Sequence, residues 1–241
     1  MAISPRKRQI KNDVGKDDVL IVIPSYNEEE NIAAVVSEIC EMGYKVLVVD
    51  DGSSDATAAE AEAAGAEVVR HSENKGKGVA LNTGYERARQ MGCKVLITMD
   101  GDGQHLPQDI PAFVEAYNRT KIPVLIGNRM LQEEKMPFVR KLTNQFMSWL
   151  LSRKMGQFVP DTQCGYRLFR CDVIPFVTTV SNRFEAESEV LMQVADRGIK
   201  MAWVRVSTIY GRGESKINPL KDTLRFFRMI YRYSRQRKVE R

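Results

Sequence analysis

What this chain has little of narrows its chemistry first. No apolar run approaches the roughly 20 residues that a membrane-spanning helix needs, and residues 1–16 are polar and basic, without the apolar stretch of a secretory signal. A cytoplasmic protein is expected. There are only four cysteines, Cys40, Cys93, Cys164 and Cys171, and no CxxC pair. Their spacing predicts neither a zinc site nor a disulfide framework, and reads as reduced, mostly buried thiols. The first apolar run is not followed by a Gly-x-Gly-x-x-Gly turn but by Pro24-Ser25-Tyr26-Asn27, which argues against a dinucleotide-dependent dehydrogenase. Internal repeats, low-complexity tracts and linkers are missing too, so one domain is expected. Net positive charge is missing until the end of the chain. Residues 221–241 hold eight Lys or Arg against two acids, leaving 28 of 36 basic and 29 of 31 acidic groups before them. Such a balance excludes a protein basic all over for nucleic acid and points to a local anionic partner of the tail.

What is present is an ordinary globular composition, 43% hydrophobic and 28% charged, with apolar runs that alternate between two periods. Residues 19–23, 45–49, 67–70, 94–99, 124–127 and 201–209 read as strands, with a further strand entered from the loop 161–170. Residues 31–42, 57–64, 79–91, 138–154 and 187–197 read as helices. Alternation with short connections predicts an α/β fold, a mainly parallel sheet flanked by helices. Ligands in such sheets bind beyond the carboxyl ends of the strands. The polar clusters 24–30, 50–55 and 100–105 all follow strands and fall on that edge. Among them, Asp100-Gly101-Asp102 brings two carboxylates together across a glycine. Acids that close repel unless a cation sits between them, and their oxygens suit a hard divalent ion.

The ordered set Ile23-Pro24-Ser25-Tyr26-Asn27-Glu28-Glu29, Asp50-Asp51-Gly52-Ser53-Ser54-Asp55, Asn74-Lys75-Gly76-Lys77-Gly78, Asp100-Gly101-Asp102-Gly103-Gln104-His105, Asp161-Thr162-Gln163-Cys164-Gly165-Tyr166-Arg167 and Gly213-Glu214-Ser215-Lys216 covers roughly residues 19–218. It resembles the family 2 glycosyltransferases of GT-A fold, in the branch that makes polyprenyl-phosphate sugars such as dolichyl-phosphate mannose. The resemblance implies a Rossmann-like single domain over 19–218, between a polar leader (1–18) and a C-terminal amphipathic helix (219–241). It implies an inverting transfer of a hexose from GDP-mannose or UDP-glucose to a polyprenyl phosphate. The alternative is a sugar hydroxyl acceptor in polysaccharide synthesis.

By the same resemblance Pro24, Tyr26, Glu28 and Asp51 would meet base or ribose. Lys77 and Asp100 would face the diphosphate, Gln163 the sugar, and Asp100, Asp102 and Gln104 would hold Mg²⁺ or Mn²⁺. Arg129, Arg140, Asn144 and Lys216 would hold the acceptor phosphate, with Asp102, Arg129 and Arg140 carrying catalysis. Lys77, just before a helix, adds a point charge to a backbone suited to anions. A phosphate nucleophile, with a second pKa near 6, needs no general base at neutral pH. In keeping with that, the Glu-Asp pair of hydroxyl-using relatives is replaced by Glu185-Ala186-Glu187. Asp50 reads as a turn cap and His105 as a loop support.

The tail reads as a helix over 219–237, with Pro219 in its first turn. Arg225, Arg228, Arg232 and Arg235 stack as one stripe, and Leu220, Leu224, Phe227 and Tyr231 line another face. Two readings stay open, a helix lying on an anionic membrane and a helix packed on the domain. A peripheral place at the cytoplasmic face of a membrane, or a membrane-protein partner, is the matching expectation.

Overall fold

The structure is a computed structural model that describes residues 13–130, 138–181, 185–209 and 219–239. Its frame is one seven-stranded sheet in the order β3-β2-β1-β4-β6-β5-β7. The strands are β1 (Val19–Ser25), β2 (Lys45–Asp50), β3 (Glu67–Arg70), β4 (Val95–Thr98), β5 (Val124–Asn128), β6 (Arg167–Arg170) and β7 (Met201–Arg205). The central strands are near-continuous runs of Val, Ile and Leu because helices cover both faces of the sheet. Val19, Leu20, Ile21, Val22 and Ile23 are accordingly all buried, as are Leu47, Val48 and Val49 on β2.

The helices α1 (Ile32–Glu41), α2 (Thr57–Ala63) and α3 (Lys77–Gln90) connect the first four strands, and all pairings among β1, β2, β3 and β4 are parallel. Helix α1 turns Ile32, Val35, Val36 and Ile39 inward, the spacing its period requires. Next, α4 (Ile110–Thr120) carries the chain to β5. This helix was not anticipated, although Ile110, Phe113 and Tyr117 are buried at helical spacing. Pro107 and Pro111 stand at its start, where proline is compatible with a helix but reads as punctuation.

Beyond β5 the order changes. Helix α5 (Phe138–Met155) precedes β6, which inserts between β4 and β5 and runs antiparallel to both. Helix α6 (Glu185–Asp196) follows, then β7, parallel to β5 at the sheet edge. The strand expected over 201–209 ends at Arg205; beyond it Thr208 makes a lone bridge to His105.

The antiparallel β6 corrects the cysteine reading. Val95 pairs with Arg170, and the Cys171 N–H donates to the Lys94 carbonyl. This register sets Cys93 opposite Cys171 at a Cα separation of 6.5 Å, and the two form a disulfide. Their sequence separation of 78 residues hides the pairing. Cys40 and Cys164 are free thiols.

Helix α7 (Pro219–Val239) packs on the domain. Phe226 and Met229 join Met147, Leu151 and Met192 in a small core of their own, separate from the main one. Tyr233 donates to Asp196 at 2.7 Å, and Lys154 to Ser234 at 2.8 Å. Part of the leader is also docked: Val14 is buried and exchanges two hydrogen bonds with the Asn118 side chain. Among the described residues no helix is long and apolar enough to cross a membrane.

Candidate active site

Register places the polar clusters at one edge. Ser25 pairs with Asp50 and Val22 with Thr98, so β1, β2 and β4 end side by side. The segment after β1 is then sewn to the segment after β2. Asn27 adopts a left-handed φ of 52°, a conformation Asn tolerates. Its N–H donates to Ser53 at 2.9 Å, and its side-chain oxygen accepts from the Ser54 N–H at 3.0 Å. Glu28 and Glu29 extend the seam through backbone donation to Thr57 and Asp55. Within this loop Tyr26 is 40% exposed, while Pro24 lines a recess shared with Lys77, Asp100 and Glu187.

Asp50 caps its own turn by accepting from the Ser53 N–H at 3.1 Å, and sits 3.0 Å from the Arg70 guanidinium. Asp51 is committed to the protein. It accepts from the Lys75 N–H at 3.0 Å and the Gly76 N–H at 2.7 Å, and lies 2.7 Å from Nδ1 of His71. Three partners therefore already engage the carboxylate expected to meet the base. The His71 ring in turn reaches Thr83 through Nε2 at 2.9 Å. Sequence reading missed His71, though its position directly after β3, on the same edge, was the available signal. Gly52 is obligatory here: its φ is +72°, and a Cβ would collide with the backbone of Glu73.

The loop after β4 holds the charged centre. Lys77, the first residue of α3, is 2.5 Å from Asp100 and 2.7 Å from Glu187. Burial opposes its charge, but the two carboxylates outweigh that and raise its pKa. Asp100 is shifted well below the usual carboxylate range. Burial acts against this, and Lys77 and His105 overcome it. Asp102 goes the other way, up to about 6, through burial and then the nearby Asp100 charge. Among the described residues no cation pairs with it, and its oxygen accepts from the Gln104 N–H at 3.0 Å. Gly165 makes room for this group, since a Cβ there would lie 2.7 Å from Glu187 and 3.1 Å from Asp100.

His105 is a support. Its buried ring accepts the Asp100 N–H at Nδ1 (3.2 Å) and stacks on Tyr166 at 5.1 Å. Burial lowers its pKa to about 4, so it is neutral at pH 7. Its Nε2 faces the Cys164 sulfur at 4.0 Å, and burial raises that thiol's pKa to about 12, which makes it an inert core group.

Beside the centre lies a second layer. Arg129, just past β5, is gripped by Asp161 through Nε at 2.7 Å and Nη2 at 2.9 Å, and both are buried. A bidentate grip fixes the guanidinium in direction as well as place. Arg167, which sequence reading left without a role, is a buried cation solvated by the carbonyls of Cys164, Glu187 and Thr162. Gln163 donates to Ser188 at 2.9 Å, tying the loop before β6 to α6. Asn144 is buried on α5. Arg140 lies on α5, but its side chain, like Lys216, falls outside the described residues. The structure thus brings Lys77, Asp100, Asp102 and Glu187 together and sets Arg129 with Asp161 alongside. Among the described residues no group of three His, Cys, Asp or Glu is arranged to hold a metal by itself.

A nucleotide-fold edge with paired acids is shared by many enzymes, and comparison with known proteins decides among them. The model of the family described as "Glycosyl transferase family 2" matches residues 20–176, well over half of the chain. The chain belongs to glycosyltransferase family 2. Among this transferase's relatives, an uncharacterized protein of Methanocaldococcus jannaschii is 34% identical, over 87% of this chain and 89% of its own length. The UDP-N-acetylglucosamine–dolichyl-phosphate N-acetylglucosaminyltransferase of Methanococcus voltae is 28% identical, over 80% of this chain and 86% of its own. A dolichol-phosphate mannosyltransferase of Pyrococcus furiosus is 30% identical, over 89% of this chain and 63% of its own. In shape, the family 2 transferase is similar to glucosyl-3-phosphoglycerate synthase of Mycobacterium tuberculosis. That structure, a complex with Mn²⁺, UDP-glucose and phosphoglyceric acid, matches at a TM-score of 0.70 and 20% identity, over 90% of this chain and 79% of the other. The sheet and flanking helices are those of the GT-A fold.

Proposed function

We propose that this family 2 transferase moves a hexose from a nucleotide sugar to a polyprenyl phosphate at a membrane surface, with inversion at the anomeric carbon. One observation carries the reading. Asp102 is a half-buried carboxylate in the loop after β4 with which no cation pairs among the described residues, next to an Asp100 that stays ionised. A site short of one positive charge fits a divalent cation brought in with a diphosphate. Mg²⁺ or Mn²⁺ commonly takes one or two carboxylates and completes its shell with substrate phosphates. Asp100, Asp102 and Gln104 would hold it, and the ion would neutralise charge on the departing nucleoside diphosphate.

The rest follows from what this chain's residues do. The sewn loops at 24–30 and 50–57 form a firm floor for base and ribose, with Pro24, Tyr26 and Glu28 along it. Asp51 organises that floor by pinning the backbone at Lys75 and Gly76. Lys77 brings the cation nearest to Asp100 and, at the start of α3, adds to the helix's positive end. Arg129, fixed in direction by the Asp161 carboxylate on its Nε and Nη2, is proposed as the cation that faces the acceptor phosphate. Arg140, Asn144 and Lys216 are proposed alongside it, and Gln163 for the sugar. Catalysis is alignment plus charge stabilisation.

A phosphate acceptor is favoured over a sugar hydroxyl. The hydroxyl reaction needs a base, and Glu187, from the segment that replaces the Glu-Asp pair, is buried and tied to Lys77 at 2.7 Å. The relatives named above for dolichyl-phosphate transfer support the same acceptor. Because their sugars differ, the donor is left as GDP-mannose or UDP-glucose. The test is a thermal-shift panel of nucleotide sugars with and without Mn²⁺, followed by transfer to a short-chain polyprenyl phosphate read by mass spectrometry. Ligand at about 100 times its dissociation constant should stabilise by about 2.7 kcal/mol. Stabilisation by a donor without transfer to the lipid phosphate, but with transfer to a sugar hydroxyl, would overturn the acceptor assignment.

A further inference from the structure

The outer side of α5 carries an apolar surface that the transfer reaction does not use. On α5, Phe138, Leu142, Phe146 and Trp149 recur at helical spacing and all are exposed, Trp149 at 59%. The opposite side of α5 is spent inward: Met147 and Leu151 enter the small core, and Ser148 bonds Thr162, next to the Asp161 that holds Arg129. Helix α7 widens the exposed surface. With Phe226 and Met229 turned into that core, Phe227 and Tyr231 face outward, Tyr231 at 68% exposure. Phe146 joins the two helices, its ring centroid 6.2 Å from Trp149 and 6.5 Å from Phe227. Isolated exposed apolar residues need no explanation, but a contiguous aromatic surface of this kind does.

Charge identifies what covers it. Helix α5 and residues 225–235 of α7 contain four Lys or Arg each and no acid. Arg153 extends the α5 stripe, and Arg228 and Arg235 lie beside Tyr231 on the surface of α7, all three exposed. Arg225, Arg228 and Arg232 also line a cleft of about 310 Å³ against Ser181. Aromatic and aliphatic residues edged by arginines suit the boundary between acyl chains and anionic headgroups.

We propose that the outer face of α5, with Phe227 and Tyr231 of α7, docks on an anionic lipid bilayer. Helix α5 then has two duties, its outer side in the interface and its inner side against the loop that positions Arg129. This changes the expectation for the tail, whose apolar residues divide between core and membrane. The proposal rests on the lipid-phosphate reading only for its purpose; the docking is measurable without any acceptor.

The experiment uses the full chain with Trp203→Phe, which leaves Trp149 as the sole indole. Vesicles of phosphatidylglycerol in phosphatidylcholine, or of phosphatidylcholine alone, contain no polyprenyl phosphate. Trp149 emission should shift to the blue and be quenched by brominated acyl chains in the anionic vesicles only. Leu142→Gln with Phe146→Gln should lower vesicle binding about tenfold, by removing apolar anchors. Transfer to a water-soluble short-chain acceptor should be retained, which shows the variant folded. Undiminished binding of the double variant, unquenched Trp149 in bound protein, or no binding at all would overturn the docking. So would a blue shift that follows protein concentration without lipid and accompanies a doubled mass, which would assign the face to a second copy. Docking with no transfer to either acceptor form would instead sink the proposed reaction and leave the docking intact.

Discussion

The two sides of the proposed site, one assigned above to the nucleotide and the other to the acceptor, are built on different principles. On the proposed nucleotide side, β1, β2 and β4 end together, and the loops beyond them are cross-linked by short polar contacts: Asn27 to Ser53 and Ser54, Asp51 to Lys75, Gly76 and His71. On the proposed acceptor side the support is a few buried ions, Arg129 on Asp161 and Arg167 on three carbonyls, behind a helix whose outer surface is apolar. The first side spreads its stability over many small terms. The second concentrates it in a few large ones, so single substitutions should act very differently on the two.

The largest effect is expected on the acceptor side. Arg129→Ala leaves the Asp161 carboxylate buried and unpaired, and should cost about 3–5 kcal/mol in chemical denaturation. Lipid-phosphate use should fall more than donor binding; equal losses in both would count against an acceptor role. Asp102→Asn should come next, lowering turnover about 100- to 1,000-fold with no loss of stability, as removal of a charge-stabilising group does. Normal turnover in that variant, with and without Mn²⁺, would sink the metal assignment.

pH separates the two groups at the centre. His105 has its pKa lowered from 6.5 to about 4, so its contribution is complete above 6.5 and is lost as pH falls toward 4. Over that range it should remove up to about 3 kcal/mol, and His105→Gln should flatten the acid limb of the stability curve. Asp102 has the opposite sign. Its pKa is raised from 3.8 to about 6, so its ionisation becomes a penalty as pH rises through that interval. A cation that relieves the penalty should raise the melting temperature more at pH 7.5 than at pH 5, and equal shifts at the two values would contradict it. The smallest effect belongs to the nucleotide side. Ser53→Ala removes one acceptor from the seam and should cost about 1 kcal/mol, read as a small drop in denaturation midpoint. A loss near that of Arg129→Ala would erase the contrast between the sides.

The same contrast governs how much was legible in the chain. Strands β1 to β4 and their helices are local βα units, each announced by its own apolar period and closed by its own polar cluster. Even the pairing of Asp100 and Asp102 is a matter of spacing. The role of Asp51 was less legible. Its acidity suggested a ligand, but its partners His71, Lys75 and Gly76 lie 20 to 25 residues away and meet it only in the folded loop. Glu187 stood out only within Glu185-Ala186-Glu187, because its ion pair with Lys77 joins α3 to α6 across more than a hundred residues. Helix α4 was obscured by its prolines, and the Cys93–Cys171 bond by a strand whose direction no local pattern states.

By itself the sequence determined the GT-A class, the family and the edge of the sheet on which chemistry gathers. Each of these depends on short-range periodicity and on residues adjacent in the chain. Only the tertiary structure decided the antiparallel insertion of β6, the disulfide it creates, which carboxylate at the centre has no cation partner among the described residues, and which faces of α5 and α7 point outward. Those outcomes depend on distances between residues far apart in sequence, where burial and charge act on whatever the fold has placed together.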